Sequence, residues 1–348
     1  MNNRKEFYPD FYRNFRCAAS GCPDTCCRDW DIVVDDESFE FYSNVPGEFG
    51  RKLSDNIKVD EDGDKVFVLE NKFCPFLTRE WLCEIQIRLG EEHVCETCRE
   101  FPRISQDYTE FTEYMLSLAC PEACKMIIDS NNTFDFSNIT EIQNDDNGYS
   151  KTFMNLLLKA RTLTVGIFSD NTKPFKERLK ACISFTEYVQ TLIDDEIFDE
   201  NKLCDYEYQE INDEKISRRF VFEMHEKLDI MDKNWIKYML DSAELVLNDT
   251  YETDCEYKNM ALYYIYRYYL NAIDSYDIIT TVKRIYCAYT VCSAMTVGVG
   301  AEDSFDRRVM IIRKYSKEVE HSFENSDFLT DEFAFNPNFS SENIIKTL

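Results

Sequence analysis

Cysteines are crowded into the first third of the chain, where their spacing could support thiol chemistry. Four of them fall within the eleven residues 17–27, CAASGCPDTCC, and Cys26 and Cys27 are adjacent. Six more follow in pairs, at positions 74, 83, 95, 98, 120 and 124. Such thiols can form disulfides, fill a core, or bind a metal or an iron–sulfur cluster. Neighbouring side chains of an extended segment point apart, so either one of the adjacent pair binds while the other supports it, or a turn brings both in.

The sequence gives reasons to choose among these uses. The first residues, MNNRKEFYPDFYRNF, have no apolar core of the kind that a signal peptide needs, so we expect a cytoplasmic protein whose thiols stay reduced. Cysteines that only fill a core have no need to cluster, and several of these adjoin proline or glycine in stretches typical of turns. The clustering therefore favours metal or cluster binding over disulfides and over core packing.

The thiol-only character of the clusters leaves two kinds of metal site open. Zinc sites favour C-x2-C pairs or added histidines, but only Cys95 and Cys98 have that spacing. The three histidines are scattered, at positions 93, 225 and 321. Cys–Pro pairs, present at Cys74 and Cys120, are typical of iron–sulfur proteins. Thiolate ligands suit both groups, so an iron–sulfur cluster is favoured and zinc is the alternative.

Composition excludes several classes of function. The formal net charge is −27, and such a surface would repel the phosphates of a nucleic acid. It serves solubility or attracts a cationic partner. Neither G-x-G-x-x-G nor the P-loop pattern occurs, so a Gly-rich nucleotide-binding loop is absent. The longest uncharged apolar run, Ile285–Ala301, falls short of the roughly 18 residues of a membrane span and predicts a buried helix. We therefore expect neither a nucleic acid nor a membrane as partner.

The pattern of elements divides the chain into a Cys-rich part and a helical part. Residues 131–150 are polar and turn-prone, which indicates a linker. Beyond it, apolar residues recur at helical spacing and predict helices over residues 152–168, 174–193, 216–232 and 257–276. The predicted domains are a Cys-rich metal-binding domain over residues 1–130, the linker, a helical domain over residues 151–335, and a weakly patterned tail over residues 336–348.

Within the Cys-rich domain we expect short elements. WDIVVDD (residues 30–36) and KVFVLE (residues 65–70) have the β-branched content of short strands. EWLCEIQIRLG (residues 80–90) and EYMLSLAC (residues 113–120) have the apolar spacing of helices. The predicted fold class is mainly α, with a small irregular Cys-rich metal-binding N-terminal domain followed by a helical C-terminal domain.

These residues carry a family resemblance. The runs FRCAASGCPDTCCRDWDIVVD, CPFLTREWLCEIQIRLG, TCREFPRI and LSLACPEAC resemble motifs of the flagellin lysine-N-methylase family, within a broader group of Cys-rich zinc- or iron-chelating domains. The specific match covers residues 11–130, and the rest agrees only in helical character and length. Cys95 and Cys124 lie outside the family pattern. The resemblance implies as metal ligands Cys17, Cys22, Cys26, Cys27, Cys74, Cys83, Cys98 and Cys120.

The resemblance also implies an activity. It implies transfer of methyl from S-adenosylmethionine to lysine side chains of flagellin, by an enzyme with an iron–sulfur cluster, 4Fe-4S being favoured and zinc the alternative. The C-x3-C-x2-C spacing of radical S-adenosylmethionine enzymes is absent, because Asp29 stands where the third cysteine would be. The alternative function is a non-enzymatic iron- or zinc-chelating protein. The long helical part favours the enzyme, because a chelating module needs only the Cys-rich part.

Two arginines of the motif CREFPRI, Arg99 and Arg103, are candidate cofactor-binding residues. The fork of a guanidinium group matches the two oxygens of a carboxylate, which favours Arg103 as a carboxylate-binding residue. The simpler use of either arginine is an ion pair with one of the many acidic residues. The sequence assigns no catalytic residue.

Overall fold

The computed structural model describes residues 5–129, 131, 132, 134, 148–208, 215–245 and 254–348, and it is mainly helical. These residues group into two compact units. The thiol-rich unit consists of Phe15–Ile104 and Cys120–Glu122, and the helical unit consists of the other described residues. The predicted mainly α class is confirmed, and metal binding by the Cys-rich part stays a prediction.

Short strands and many helices make up the described residues. The strands are β1 (Lys5–Phe7), β2 (Ile57–Val59), β3 (Lys65–Phe67), β4 (Arg103–Asp107) and β5 (Phe111–Leu116). The helices are α1 (Asp36–Asn44), α2 (Gly47–Asp55), α3 (Glu84–Leu89), α4 (Glu96–Glu100), α5 (Pro121–Ile128), α6 (Lys151–Ser169), α7 (Phe175–Asp194), α8 (Arg219–His225), α9 (Lys233–Leu245), α10 (Asp254–Tyr268), α11 (Ala272–Ser275), α12 (Ile279–Gly298), α13 (Phe305–Tyr315), α14 (Phe323–Phe335) and α15 (Ser341–Thr347). A π-helical turn, Ser316–Glu320, follows α13 directly.

The thiol-rich unit is built from short elements around an apolar core. β2 and β3 pair antiparallel, with Ile57 opposite Phe67. Gly50 lets α2 pack close to the end of α1, because a Cβ at this position would lie 1.7 Å from the carbonyl oxygen of Val45. The buried residues of this core include Ile32, Val34, Tyr42, Leu53, Phe67, Phe76 and Ile85.

Asp35 fixes two helix N-termini in the thiol-rich unit. Its Oδ1 accepts a hydrogen bond from Ser38 N at 2.9 Å, at the start of α1, and its Oδ2 accepts one from Glu96 N at 2.8 Å, at the start of α4. Burial would raise the pKa of Asp35, but these backbone N–H groups lower it below its ordinary value. One carboxylate therefore joins α1 to α4, the helix that holds Cys98 and directly follows Cys95.

Helix α12 occupies the centre of the helical unit. Its residues are buried almost without interruption from Thr281 to Thr296, and it packs against α7, α9, α10 and α13. Gly298, at its end, lets α9 approach closely, because a Cβ there would lie 2.2 Å from Ser242 Oγ. The sheet order is β1–β5–β4, and β1 runs parallel to β5.

Two buried ion pairs connect elements of the helical unit. Arg161 of α6 donates two hydrogen bonds, of 2.7 and 2.8 Å, to the carboxylate of Glu113 on β5. Arg308 of α13 binds Glu256 of α10 in the same two-pronged way, at 2.7 and 2.8 Å. Such charge-assisted pairs fix both distance and orientation.

Several predicted helices are confirmed. α6 covers the predicted helix over residues 152–168, and α7 covers all but the first residue of that over residues 174–193. α10 and α11 cover most of residues 257–276, with a 3-10 turn at Tyr269–Asn271 between them. The apolar run Ile285–Ala301 lies mostly in the buried α12. In the described part of the chain, no helix is long and apolar enough to cross a membrane.

Other predicted elements are wrong in kind or extent. Residues 113–120, predicted as a helix, contribute to strand β5, whose residues are buried on both faces and therefore lack the alternation that marks a strand. Residues 30–36 form an isolated bridge, Val33 to Val66, rather than a strand. Of residues 216–232, the structure folds only Arg219–His225 into an α-helix, α8.

The compact units do not follow the predicted domain boundaries. Residues 105–119 and 123–129 belong to the helical unit, where β5 pairs with β1. Residues 336–348, predicted as a tail, form a 3-10 turn and α15, because Ile344 and Ile345 are buried against the helical unit. Most of the predicted linker over residues 131–150 lies outside the described residues.

Candidate functional site

Nine of the ten cysteines before residue 125 lie in the thiol-rich unit. The described cysteines are all thiols rather than disulfides. The tenth, Cys124, lies in the helical unit, where it is fully buried and its Sγ is 3.6 Å from the carbonyl oxygen of Val309. Cys124 therefore occupies the position of a core residue.

The adjacent Cys26 and Cys27 form a thiol–thiol hydrogen bond within a turn. Cys27 N donates to Thr25 Oγ1 at 3.0 Å, and Trp30 Nε1 donates to the carbonyl oxygen of Cys26 at 2.5 Å. The hydrogen bond from Cys26 lowers the pKa of Cys27 to about 7. The same bond and burial raise the pKa of Cys26. The turn thus brings both thiols together, which is one of the two arrangements that the sequence left open.

Cys74 and Cys83 lie beside Cys27. Cys74 N donates to the carbonyl oxygen of Cys27 at 2.8 Å, and a bridge between Leu77 and Cys83 closes the following loop. Burial raises the pKa of Cys74 to about 12 and also raises that of Cys83, and the charge of Cys27 adds to both shifts. Both thiols therefore keep their protons at neutral pH until a metal replaces them.

Cys95 and Cys98 form a second thiol–thiol hydrogen bond. Cys95 immediately precedes α4, and Cys98 follows three residues later on the same side of that helix. Their hydrogen bond lowers the pKa of Cys95 and, with burial, raises that of Cys98. The charges of Cys27 and Cys74 also raise the pKa of Cys98. Cys95, which the resemblance left out, therefore lies among the thiols that it included.

The remaining three thiols lie near Cys26 or near one another. Cys17 and Cys120 are close enough to Cys26 for their charges to raise its pKa. Cys22 donates from Sγ to the carbonyl oxygen of Asp24 at 2.5 Å. Burial raises the pKa of Cys22, and the charge of Cys17 adds to this shift. All eight predicted ligands therefore lie in one compact unit.

The donor set decides which metal groups suit the thiol-rich unit. It consists of thiols alone, which both iron–sulfur clusters and structural zinc accept. Within the described residues, no three Cys, His, Asp or Glu side chains are already arranged as ligands of one ion. The donor chemistry fits either group, and the ligand set and the choice of metal stay predictions.

The two predicted cofactor-binding arginines have different surroundings. Arg99 lies on α4, about half exposed, with its Nε 3.4 Å from the carboxylate of the neighbouring Glu100. Arg103 begins β4, and its guanidinium lies over the ring of Phe15 at 5.4 Å. Among the described residues, no carboxylate forms an ion pair with Arg103. Arg103 is therefore better placed than Arg99 to receive a carboxylate from a ligand.

A second polar cluster, which the sequence did not reveal, surrounds Glu320 in the helical unit. Glu320 ends the π-helical turn, and its carboxylate is buried. Its Oε1 accepts hydrogen bonds from the hydroxyls of Tyr263 at 2.5 Å and Tyr268 at 2.6 Å. Arg267 Nε donates to the same oxygen at 3.0 Å, and Ser316 Oγ donates to Oε2 at 2.7 Å. Burial would raise the pKa of Glu320, but Arg267 and the hydroxyls lower it.

His321 follows this turn and extends the cluster to Ser117. His321 Nε2 lies 2.9 Å from Oγ of the buried Ser117, which follows strand β5. The histidine itself is exposed. Desolvation lowers the pKa of His321, Glu320 opposes this shift, and Arg267 adds to it. The two partners are 204 residues apart in sequence, so no local motif could have predicted the pair.

Comparison with known proteins decides the family. A family model for the FliB lysine N-methylase C-terminal domain matches residues 161–347, which is more than half of the chain. The chain belongs to the FliB lysine N-methylase family. This confirms the resemblance drawn from residues 11–130, and it does so from a different part of the chain. Glu320 and His321 lie inside the matched segment.

Individual relatives agree with this family. The flagellar biosynthetic protein FliU of Salmonella muenchen is 32% identical over 128 residues, which are 34% of this chain and 75% of that protein. The lysine-N-methylases of Salmonella choleraesuis (strain SC-B67) and Salmonella typhimurium (strain LT2) are each 30% identical over 141 residues. The chain spans only 35% of the length of these two enzymes, and the aligned part is 39% of this chain. No solved structure matches the chain.

Proposed function

We propose that this protein is a protein-lysine N-methyltransferase that uses S-adenosylmethionine to methylate flagellin in the cytoplasm. In this proposal the thiol-rich unit binds an iron–sulfur cluster, of the 4Fe-4S type, with zinc as the alternative metal. The observation that carries the proposal is that thiols from four chain segments lie close enough to Cys26 or Cys27 to interact with them electrostatically, in a member of the FliB family. The name lysine-N-methylase of two relatives supports the reaction class.

The thiols would hold the metal group. We propose as ligands Cys17, Cys22, Cys26, Cys27, Cys74, Cys83, Cys98 and Cys120. Cys95 is a further candidate, because its thiol forms a hydrogen bond with that of Cys98. A bound cluster or ion with an open coordination position would supply a site for the amino and carboxylate groups of S-adenosylmethionine. Most of these thiols are protonated without metal, so binding releases protons and becomes tighter as pH rises.

Arg103 would contribute to methyl-donor binding. Its guanidinium lies over an aromatic ring and forms no ion pair with a carboxylate in the described part of the chain. Two parallel N–H groups of this guanidinium can therefore bind the carboxylate of S-adenosylmethionine. Arg99 is a weaker candidate, because Glu100 already lies beside it.

The substrate lysine sets a further requirement. The ordinary pKa of a lysine is about 10.4, so its ammonium group must lose a proton before the nitrogen can attack a methyl group. The net charge of −27 favours encounter with a lysine-bearing segment, although salt at physiological concentration screens this attraction. The acidic surface thus suits a cationic protein segment as substrate.

Anaerobic purification followed by metal analysis and donor titration tests the proposal. We expect brown protein with visible charge-transfer absorption, iron and sulfide in matching amounts, and calorimetric binding of S-adenosylmethionine. Arg103→Ala should weaken donor binding about tenfold or more, as the loss of a charge-assisted pair predicts, while the matched variant Arg99→Ala should leave it nearly unchanged.

The same measurements separate the alternatives. Colourless protein with stoichiometric zinc would show that the bound metal is zinc, the alternative, and not an iron–sulfur cluster. Metal-loaded protein that does not bind S-adenosylmethionine would contradict the enzyme and leave a metal-chelating protein.

A further inference from the structure

The contact between His321 and Ser117 differs from those of the other two histidines of the chain. His225 is fully buried, and both ring nitrogens are bonded, Nδ1 to the carbonyl oxygen of Val221 at 2.7 Å and Nε2 to the hydroxyl of Tyr315 at 3.0 Å. His93 stacks on a phenylalanine ring at 4.1 Å in the thiol-rich unit. His321 alone combines an exposed ring with a fixed buried partner.

Ser117 fixes one nitrogen of the His321 ring and leaves the other available. Ser117 Oγ accepts a hydrogen bond from Ala119 N at 3.1 Å and lies 2.9 Å from His321 Nε2. Within the described residues, Nδ1 of His321 has no hydrogen-bond partner. When Nε2–H donates to Ser117, Nδ1 carries a lone pair on an exposed ring. This is the arrangement of a proton acceptor.

The charged groups that face this ring are Glu320 and Arg267. Glu320 precedes His321 in the chain, and Arg267, on α10, donates to the Glu320 carboxylate at 3.0 Å. Tyr263 and Tyr268 hold that carboxylate through their hydroxyls. A proton gained by the imidazole would therefore be stabilised by the carboxylate of Glu320 and opposed by the guanidinium of Arg267.

We propose that His321 is the general base that deprotonates the substrate lysine, with Ser117 and Glu320 as positioning residues. The proposal rests on the function proposed above. In the step, one Nζ–H bond of the lysine ammonium breaks and an Nδ1–H bond to His321 forms. The electron pair left on Nζ then bonds to the methyl carbon, and the carbon–sulfur bond of the sulfonium donor breaks with its pair remaining on sulfur. Charge balances, because the imidazolium and the methylammonium product replace the lysine ammonium and the sulfonium, and the donor leaves as a neutral thioether.

The structure also explains why a histidine serves at this position. Desolvation keeps the pKa of His321 below its ordinary value, so the ring is neutral at neutral pH and ready to accept a proton. Below this pKa the ring is already protonated and cannot act as a base. Methyl transfer should therefore slow as pH falls through the lowered pKa of His321, which lies below the ordinary histidine value of about 6.5.

The test compares the variants His321→Gln and His93→Gln with the wild-type holoenzyme, using flagellin as substrate. We expect His321→Gln to lower kcat by about a hundredfold or more, which is typical of a lost general base, and to remove the decline of kcat on the acid side of the pH profile. Donor binding measured by calorimetry should not change. The control His93→Gln should keep both the wild-type rate and the wild-type pH profile.

Chemical rescue distinguishes a base from a structural residue. We expect added imidazole to restore part of the activity of His321→Ala, because its exposed site can admit a small base. His321→Gln with kcat within about twofold of the wild type and an unchanged pH profile would overturn the proposal. So would a folded but inactive His321→Ala that imidazole does not rescue, since that result assigns His321 a structural role. A wild-type holoenzyme that binds donor but transfers no methyl would instead overturn the proposed function.

Discussion

Cys98 and Cys182 show how differently two thiols of one chain can be used. Cys98 forms a hydrogen bond with Cys95, and the charges of two further thiols raise its pKa. Cys182, in contrast, is fully buried in α7, with Sγ 3.9 Å from the carbonyl oxygen of Thr164. The spacing of cysteines in the sequence already distinguished the clustered thiols, such as Cys98, from single thiols such as Cys182. The spacing also placed Cys95 beside Cys98 as a C-x2-C pair, and only the family resemblance left Cys95 out of the predicted ligands.

Substitution of these two residues tests the division. We expect Cys98→Ala to lose bound metal, because a thiolate ligand is removed from an all-thiol set, and Cys182→Ala to keep the wild-type metal content. Iron, sulfide and zinc analysis of anaerobically purified variants provides the measurement. Equal loss of metal in both variants would show that the thiols are not divided in this way.

The lowered pKa of His225 makes the free energy of unfolding depend on pH. Its burial lowers its pKa to about 4, while the unfolded chain has the ordinary value of about 6.5. The unfolded state therefore binds a proton more readily, and the native state loses up to about 3 kcal/mol as pH falls from 6.5 to 4. Above pH 6.5 this contribution does not change. We expect the difference in free energy of unfolding between His225→Gln and wild type to shrink as pH falls through this window, measured by urea titration at pH 7 and pH 5. A pH-independent difference would contradict the shifted pKa.

The pair formed by His321 and Ser117 could not be predicted from the sequence. The cysteines are clustered in the sequence, and eight of them could be predicted as metal ligands from their spacing and from the family resemblance. Ser117 and His321 are single residues of ordinary type, brought together only by folding. Nothing in either local sequence signals the other.

At the scale of elements, strand β5 was the clearest failure of prediction, and its surroundings explain why. Most of its side chains are buried, so the apolar residues do not alternate and the run resembles a helix in sequence. Helices α6 and α7 were predicted correctly because each buries one face over about 20 residues. Long amphipathic elements can be read from a sequence, whereas short buried ones depend on neighbours far along the chain.

The ion pair between β5 and α6 gives a prediction for this element. Replacing Glu113 by Gln should lower the free energy of unfolding by about 3–5 kcal/mol, because the buried Arg161 guanidinium would lose its countercharge. The matched control is Glu223→Gln, which removes an exposed partner of Arg219 and should cost less than about 1 kcal/mol. Denaturant titration measures both, and similar effects in the two variants would contradict the role given to burial.

Two glycines test the packing of helices. Gly298→Ala should destabilise the protein by about 1–3 kcal/mol, because the new Cβ would overlap Ser242 on α9. Gly166→Ala, inside α6 and with open space around its Cβ, should instead stabilise by about 0.5–1 kcal/mol through helix propensity. Thermal denaturation shows both as shifts of opposite sign. A stabilising Gly298→Ala would mean that α9 and α12 do not approach as closely as described.

At the scale of the whole molecule, two lines of evidence for the family come from different units. The Cys motifs lie mainly in the thiol-rich unit, and the family match over residues 161–347 falls in the helical unit, where no specific motif was recognised. The thiol-rich unit has the donors for a metal, and the helical unit has an exposed histidine supported by a buried carboxylate.

The most direct test of this account is methyl transfer to flagellin from the same organism by reconstituted holoenzyme, followed by intact-mass measurement. We predict mass increases in steps of one methyl on surface lysines, dependent on both added S-adenosylmethionine and bound metal. The double variant Cys26→Ala, Cys98→Ala should abolish them. Flagellin whose mass stays unchanged with fully loaded enzyme and donor would contradict the central claim.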